Sequence, residues 1–380
     1  MSKVKPQPAA LSRSVLLLAP MIGNETGGIQ EFTRELMRAL ISIEGRGRVI
    51  ALSYADSQPF TQDLLAFDSC KKSPLRKIVF FLKTLFLCLK WRPRLIISTF
   101  PGLAPAGVIC ARLMGIRFAT VVHGIEVWTR LSWIKRIALQ NCDLILAVSQ
   151  YTAAQLTSLQ GVSSKKLFNF PNTVDLQVFL PGKGNPQLRE LFDLPYDSHI
   201  ILTVARLDAS ERSKGIERIW DAMERRAEGV LGGSIHLVVG SGTDLERLRQ
   251  DARRRIPGAR IRFTGPVSRG DLADIYRLAD IYVMPSLKEG FGIVYLEAMA
   301  TGIPVVAADA CGTPDALRNG DLGWLVPPDN IEALASAMEQ AMESTDQRRD
   351  PKFLRQAVER HFGHLSFQAR LREVLKLLSQ

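Results

Sequence analysis

The sequence has little of what marks exported, disulfide-built or membrane-spanning chains. Its five cysteines, Cys70, Cys88, Cys110, Cys142 and Cys311, are odd in number and scattered without metal-ligand spacing. They read as free thiols of a reducing compartment and argue against a disulfide framework or a bound zinc. No run reaches the roughly 18–20 uninterrupted apolar residues that cross a bilayer. The nearest approach, Ile78–Leu89, is broken by Lys83. The opening MSKVKPQPAALSRS is polar, and the first apolar run, Val15–Ala19, is too short for an export signal, so a cytoplasmic protein is expected. No DxD carboxylate pair occurs, so neither a catalytic metal nor a cofactor is expected. No G-x-G-x-x-G precedes a suitably spaced acidic residue, which argues against a dinucleotide site and an oxidoreductase.

What is present is a globular composition with an uneven charge. The 380 residues, 46% hydrophobic and 23% charged, suffice for two or three ordinary domains. Residues 1–180 hold 22 Lys and Arg against 10 Asp and Glu, whereas residues 181–380 hold 27 against 28. All of the net charge of +11 therefore sits in the first half, and between Asp68 and Glu126 ten basic residues meet no acidic one. One half of the chain is suited to an anionic surface or substrate.

Short runs rich in Val, Ile and Leu, without strict alternation, read as parallel strands covered on both faces. In the first half these are Val15–Ala19, Val49–Ser53, Leu95–Thr99, Phe118–Val122 and Leu144–Val148. A second set follows at Ile200–Val204, His236–Val239, Ile261–Thr264, Ile281–Met284 and Val305–Ala308. Helical patterns such as Ile29–Ile43, Ile216–Arg226 and Ile293–Ala300 lie between them. The Gly- and Pro-containing stretch LPGKGNPQLRELFDLPYDS separates the two sets. The expected fold class is α/β, with two doubly wound Rossmann-like domains facing a central cleft. The expected divisions are a first Rossmann-like domain over 1–180, a linker over 181–198, a second Rossmann-like domain over 199–362, and a C-terminal helix over 363–380 that caps the second domain or crosses back to the first.

Four segments carry candidate chemistry. In PSLKEGFGIVYLEAMA (residues 285–300) a strand ends, a turn carries Glu289, and a helix begins near Phe291. Gly290 and Gly292 admit close backbone approach, and the helix start (Phe291, Ile293) offers unpaired amides to a diphosphate. Glu297, eight residues after Glu289, can accept hydrogen bonds from sugar hydroxyls. A dipole-answering Glu and a solvated Glu would be the ordinary alternative, but strand, turn, two glycines and helix coincide here. Arg206 stands at the end of the first strand of the second set, with Lys214 at the next helix entry. Two cations there suit a leaving diphosphate; surface ion pairing is the competing reading. Gly27-Gly28 resembles a phosphate-binding turn, as does the lone GxG of Gly240-Ser241-Gly242, and both are weak signals. His123 follows a buried strand, where it faces the cleft or is a satisfied core histidine.

Taken together, Arg206 with Lys214, the Glu289/Glu297 pair, the double glycine and His123 resemble a family-4 glycosyltransferase of the GT-B fold, from Gly27 to the terminal FGHLSFQARLREVLKLL. The resemblance implies that Arg206 and Lys214 bind the donor diphosphate, Glu297 the ribose hydroxyls, and Glu289 the donor sugar near the reacting carbon. It implies further that His123 contacts the sugar, that Gly28 crowds the phosphates, and that transfer retains anomeric configuration by attack on the face the nucleotide leaves. The chain departs from the family pattern in the longer loop ASERS between Arg206 and Lys214. It departs again in Cys311-Gly312 with Asp315, where two glycines and a Glu are frequent. The expected activity is transfer of a hexosyl unit from GDP-mannose or a UDP-hexose to a lipid-linked or glycan acceptor in surface polysaccharide biosynthesis. A sugar-nucleotide epimerase shares the architecture but needs a cleft acid–base pair that is not evident.

In LRKIVFFLKTLFLCLKW (residues 75–91), a helical period places Lys72, Arg76, Lys83 and Lys90 on one stripe. The stretch reads either as a packed helix with one solvated stripe or as a helix lying on an anionic membrane. The second reading makes residues 71–94 a peripheral contact with the inner face of the cell membrane. Nucleic acid is not an expected partner, because the aromatics lie on the apolar side rather than among the charges.

Overall fold

The computed structural model describes residues 14–23, 27–56, 61–70, 75–256 and 260–380. The chain forms two compact units, residues 1–172 with 367–380, and residues 173–366. In the first, strands β1 (Val15–Ala19), β2 (Val49–Ser53), β3 (Ala66–Ser69), β4 (Leu95–Ser98), β5 (Arg117–Val122), β6 (Leu144–Ala147) and β7 (Leu167–Asn169) form one parallel sheet in the order β3-β2-β1-β4-β5-β6-β7. In the second, β8 (Ile200–Val204), β9 (Ile235–Val239), β10 (Ile261–Gly265), β11 (Ile281–Met284), β12 (Val305–Ala308) and β13 (Trp324–Val326) are ordered β10-β9-β8-β11-β12-β13. Each is a doubly wound α/β domain, as the alternating pattern implied.

The central strands are the apolar ones because helices cover both faces. All five residues of β1 are buried, and Val15 pairs with both Val49 and Leu95. The strands that periodicity did not reveal, β3, β7 and β13, lie at sheet edges and are three or four residues long. One covered side asks for no apolar run, so AFDS and LFN carry no recognisable signal.

The boundary between the units falls at 172/173, earlier than the expected 180. Thr173 Oγ1 donates to Phe362 O at 2.7 Å, and Arg355 donates to the carbonyls of Leu176 (2.8 Å) and Phe179 (2.5 Å), tying residues 173–179 to the second unit. Residues 181–198, expected as a linker, also belong to that unit and contain a helix, Pro186–Leu191, capped by Asn185. From Phe367 onward the last helix, His364–Leu377, is part of the first unit. There Phe367 packs edge-on against Phe170 (4.8 Å) and Phe32 (5.8 Å), and Gln368 donates to Ser42.

Helices Arg76–Trp91, Ala104–Met114 and Trp133–Gln140 pack side by side on one face of the first sheet. Right-handed crossovers require this, since all three connect strands stepping in the same direction. The cationic stripe expected on the first of them is interrupted, because Lys83 is bound to Asp68 Oδ1 (2.6 Å) and Ser69 O (2.7 Å). Lys72 lies outside the described residues. The outward face is instead largely apolar, with Ile78, Leu82, Phe86 and Leu89 exposed.

The second sheet is cross-tied by a buried polar chain. Trp220 Nε1 donates to His236 Nδ1 at 3.0 Å, so the ring proton sits on Nε2, which donates to Thr203 Oγ1 at 2.8 Å. Thr203 in turn donates to Val283 O at 2.6 Å, joining β9, β8 and β11. Burial pushes the His236 pKa down to about 3. Because the unfolded chain takes up that proton near pH 6.5 and the folded one does not, this contribution is complete above pH 6.5 and is lost as pH falls. Stability should drop by up to about 1.4 kcal/mol per pH unit between pH 6 and 4.5 from this group. Chemical denaturation of wild type and His236→Asn across that range checks it: the wild-type slope should be steeper, and parallel slopes would refute the assignment.

Candidate functional site

Strand order reverses in the second sheet between β8 and β11, which are hydrogen-bonded neighbours. The loops leaving their carboxyl ends diverge to opposite faces and open the crevice where doubly wound folds bind ligands. Arg206 lies two residues past the end of β8, and the loop carrying Glu289 follows β11. The two loops are joined: Leu287 N donates to Ser213 O at 2.8 Å, and Lys214 Nζ meets Glu289 Oε2 at 2.6 Å. Arg206 forms an ion pair with Glu211, whose other carboxylate oxygen lies 3.9 Å from Lys214.

The turn between Arg206 and Lys214 is held from below. Asp244 accepts from Arg247 (2.8 and 2.5 Å) and from Arg212 (2.9 and 3.2 Å). These guanidiniums, Arg247 first, hold its carboxyl at about 2, below the usual carboxylate range. The Gly240-Ser241-Gly242 segment lies under the same loop, accepting from Leu207 N through Ser241 O at 2.9 Å. The GxG is thus a packing surface for the Arg206 loop. Sequence reading passed over Asp244, although it stands among arginines at the start of helix Leu245–Arg255.

The helix after Glu289 spans Ile293–Ala300, so it starts two residues later than Phe291. Gly292, at φ 93°, supplies the left-handed residue from which it springs. Phe291 is buried edge-on against Phe362 (5.7 Å), which leaves only its backbone for a ligand. In the second turn, Glu297 accepts from the Tyr276 hydroxyl at 2.8 Å. Burial and the Glu297 charge raise the Tyr276 pKa well above its usual value, so it stays a donor and orients that carboxylate. Tyr276, too, escaped the sequence reading. Gly312 N donates to Glu289 O at 2.9 Å, and a Cβ at Gly312 would stand 2.0 Å from Gly290 O. The loop after β12 therefore props the Glu289 turn backbone to backbone, with Cys311 Sγ donating to Leu287 O at 3.3 Å.

The structure thus gathers Arg206, Lys214, Glu289, Gly290, Phe291, Gly292, Ile293 and Glu297 in one unit. Gly27, Gly28 and His123 belong to the other. Gly27 and Gly28 are exposed at the start of helix Gly28–Glu44, beyond β1, where the first sheet reverses its order. His123 follows β5. Its Nε2 donates to Thr99 O at 2.9 Å, since a carbonyl only accepts, and this leaves Nδ1 as the ring's acceptor. Phe32 packs edge-on against the ring at 5.0 Å. Burial lowers the His123 pKa, opposed by the Glu126 charge and the Thr99 carbonyl, so the ring is held neutral at physiological pH.

Two doubly wound α/β units, each with an all-parallel sheet, and candidate residues at the strand-order reversal of the second have the architecture of the GT-B glycosyltransferases. Residues 26–178 match the model of Glycosyltransferase Family 4 and residues 185–353 that of Glycosyl transferases group 1. The chain belongs to this glycosyltransferase family. It is 27% identical, over 87% of its length and 90% of the relative's, to the GDP-mannose-dependent alpha-(1-6)-phosphatidylinositol monomannoside mannosyltransferase of Mycobacterium tuberculosis. Among solved structures it resembles Anabaena HepE in complex with UDP (TM-score 0.78, 20% identity, 96% of this chain and 99% of that one). It also resembles the sucrose-phosphate synthase of Thermosynechococcus elongatus (TM-score 0.79, 22% identity, 96% and 99%).

The backbone contact at Gly312 carries a prediction. Gly312→Ala should displace the Gly290 carbonyl and lower transfer activity by about tenfold or more, since small displacements of a positioning loop cost that much. Far-ultraviolet circular dichroism should stay unchanged. Activity within twofold of wild type would show that the Glu289 turn needs no support from Gly312.

Proposed function

We propose that the chain transfers a hexosyl unit, with retention of configuration, from a nucleotide-diphosphate sugar bound by the second unit to a lipid-linked or glycan acceptor in surface polysaccharide biosynthesis. The observation that carries this reading is the convergence of Arg206, Lys214 and Glu289 at the β8/β11 reversal. As the bond between sugar and diphosphate breaks, negative charge grows on the leaving phosphate. Arg206, Lys214 and the amides at the start of helix Ile293–Ala300 answer it with fixed positive charge, in the role a metal ion plays elsewhere. Glu297, oriented by Tyr276, accepts from the ribose hydroxyls. Glu289 holds the donor sugar near the reacting carbon, and His123 accepts a sugar hydroxyl at Nδ1.

GDP-mannose draws support from the mycobacterial relative's GDP-mannose dependence, and a UDP-hexose from the UDP bound to HepE. Thermal shift with UDP, GDP, ADP and NAD, in the presence of EDTA, separates these readings. Ligand at 100 times its dissociation constant adds about 2.7 kcal/mol, a shift of several degrees. The shift should come from UDP or GDP and disappear in Arg206→Ala; stabilisation by NAD alone would overturn the donor site.

For the acceptor side we propose peripheral binding to an anionic membrane through the three-helix face of the first unit, which extends the contact expected from residues 71–94. Ile78, Leu82, Phe86, Leu89, Ile109, Leu113, Trp133, Ile134 and Ile137 are between 49% (Ile109) and 69% (Trp133) exposed. The three helices hold seven basic residues and no acidic one. Arg76, Lys77, Lys90 and Lys135 have no carboxylate partner among the described residues. Apolar side chains rimmed by unpaired cations are what an anionic lipid surface takes up, at about 1 kcal/mol per cation. No helix among the described residues is long and apolar enough to cross a membrane. Replacing Arg76, Lys77 and Lys90 by Glu should release the protein from vesicles containing phosphatidylserine. Equal co-sedimentation of the variant would remove the face from membrane binding.

A further inference from the structure

The cations assigned to the donor diphosphate are both already engaged by carboxylates. Lys214 lies 2.6 Å from Glu289 and 3.9 Å from Glu211, and Arg206 is paired with Glu211. Glu211 spans the two with its two oxygens, Oε1 toward Arg206 and Oε2 toward Lys214, as the oxygens of a diphosphate would. It belongs to the ASERS turn, the insertion that lengthens this loop relative to the family pattern. Two cations and two carboxylates make this cluster formally neutral. A sugar-nucleotide diphosphate brings two further negative charges, so one carboxylate has to withdraw for the cations to be used.

We propose that Glu211 is that carboxylate: it competes with the donor diphosphate for Arg206 and Lys214, turns away as the donor binds, and closes again on the two cations as the nucleoside diphosphate leaves. Glu289 is committed to the donor sugar, whereas Glu211 has no other partner to keep among the described residues. The movement needs only a side-chain rotation. The turn itself is pinned by Arg212 on Asp244 and by Glu211 N donating to Asp208 O at 2.8 Å. At 20% exposure, the Glu211 side chain has a route to water. Because Arg206 is 73% exposed, the competing pair is weak, and its removal shifts affinity modestly rather than by orders of magnitude.

This inference rests on the donor-site reading, and the test keeps the two apart. Isothermal titration with UDP and with GDP would compare wild type, Glu211→Gln, Glu211→Asp and Arg206→Ala, alongside steady-state kinetics. Glu211→Gln should bind the nucleotide that wild type binds about two- to fivefold more tightly, the range expected for loss of one exposed competing charge. Its donor KM should fall without a rise in kcat, and Glu211→Asp, which keeps the charge, should return toward wild type. Unchanged or weaker binding by Glu211→Gln, while Arg206→Ala still weakens it, would make Glu211 a support for Arg206 and overturn the proposal. No effect of Arg206→Ala would instead sink the donor site itself.

Discussion

A parallel sheet wound outward in both directions from one strand has to reverse its order once. At that place the two departing loops lie on opposite faces with nothing between them. The second unit makes this reversal between β8 and β11, and its candidate chemistry hangs from those two strand ends. Arg206 and Lys214 leave β8, Glu289 leaves β11, and they meet because their parent strands are hydrogen-bonded neighbours although some 80 residues apart in the chain. The buried chain from Trp220 through His236 and Thr203 to Val283 ties together the same strands from within.

The site built on this scaffold is electrostatically compensated rather than simply positive. Each cation has a carboxylate, and the carboxylates differ in what holds them. Asp244 is locked by two guanidiniums and serves the loop. Glu297 is fixed by a tyrosine that burial keeps protonated. Among the described residues, the carboxylates of Glu211 and Glu289 form their ion pairs with the cations that the proposed diphosphate would claim, whereas Asp244 is committed to the loop. In the reading proposed above, an anion binds there by exchange, which moderates affinity and eases product release.

The first unit shows the same topology put to another use. Its reversal point carries Gly28, with His123 hydrogen-bonded to Thr99 beyond the neighbouring strands. Its opposite asset is a three-helix face whose apolar residues point outward. The sequence left the run Ile78–Leu89 open between a packed helix with one solvated stripe and a membrane-surface helix, because its hydrophobicity is high nearly all round, whereas a helix on a sheet buries only one side. Phe80, Leu87 and Cys88 face inward, and Ile78, Leu82, Phe86 and Leu89 are left for solvent or a partner.

The sequence by itself determined the central strands, the helices between them, the two-domain α/β class and most of the candidate donor residues. Those signals are local: an apolar run buried on both faces, a helix start with its glycines, one Glu on the turn before it and a second eight residues on. It was silent on β3, β7 and β13, since an edge strand needs little apolar content, and on the boundary at 172/173, which depends on Thr173 and Arg355 reaching distant backbone. The expected stripe of lysines failed at Lys83 for the same reason, its partner Asp68 being on a neighbouring strand. Only the tertiary structure decided that Tyr276 orients Glu297, that Asp244 braces the Arg206 loop, that Gly312 props the Glu289 turn and that Glu211 bridges both cations. Each of these joins residues from separate loops, and no periodicity or propensity along a chain encodes which loops a sheet will bring side by side.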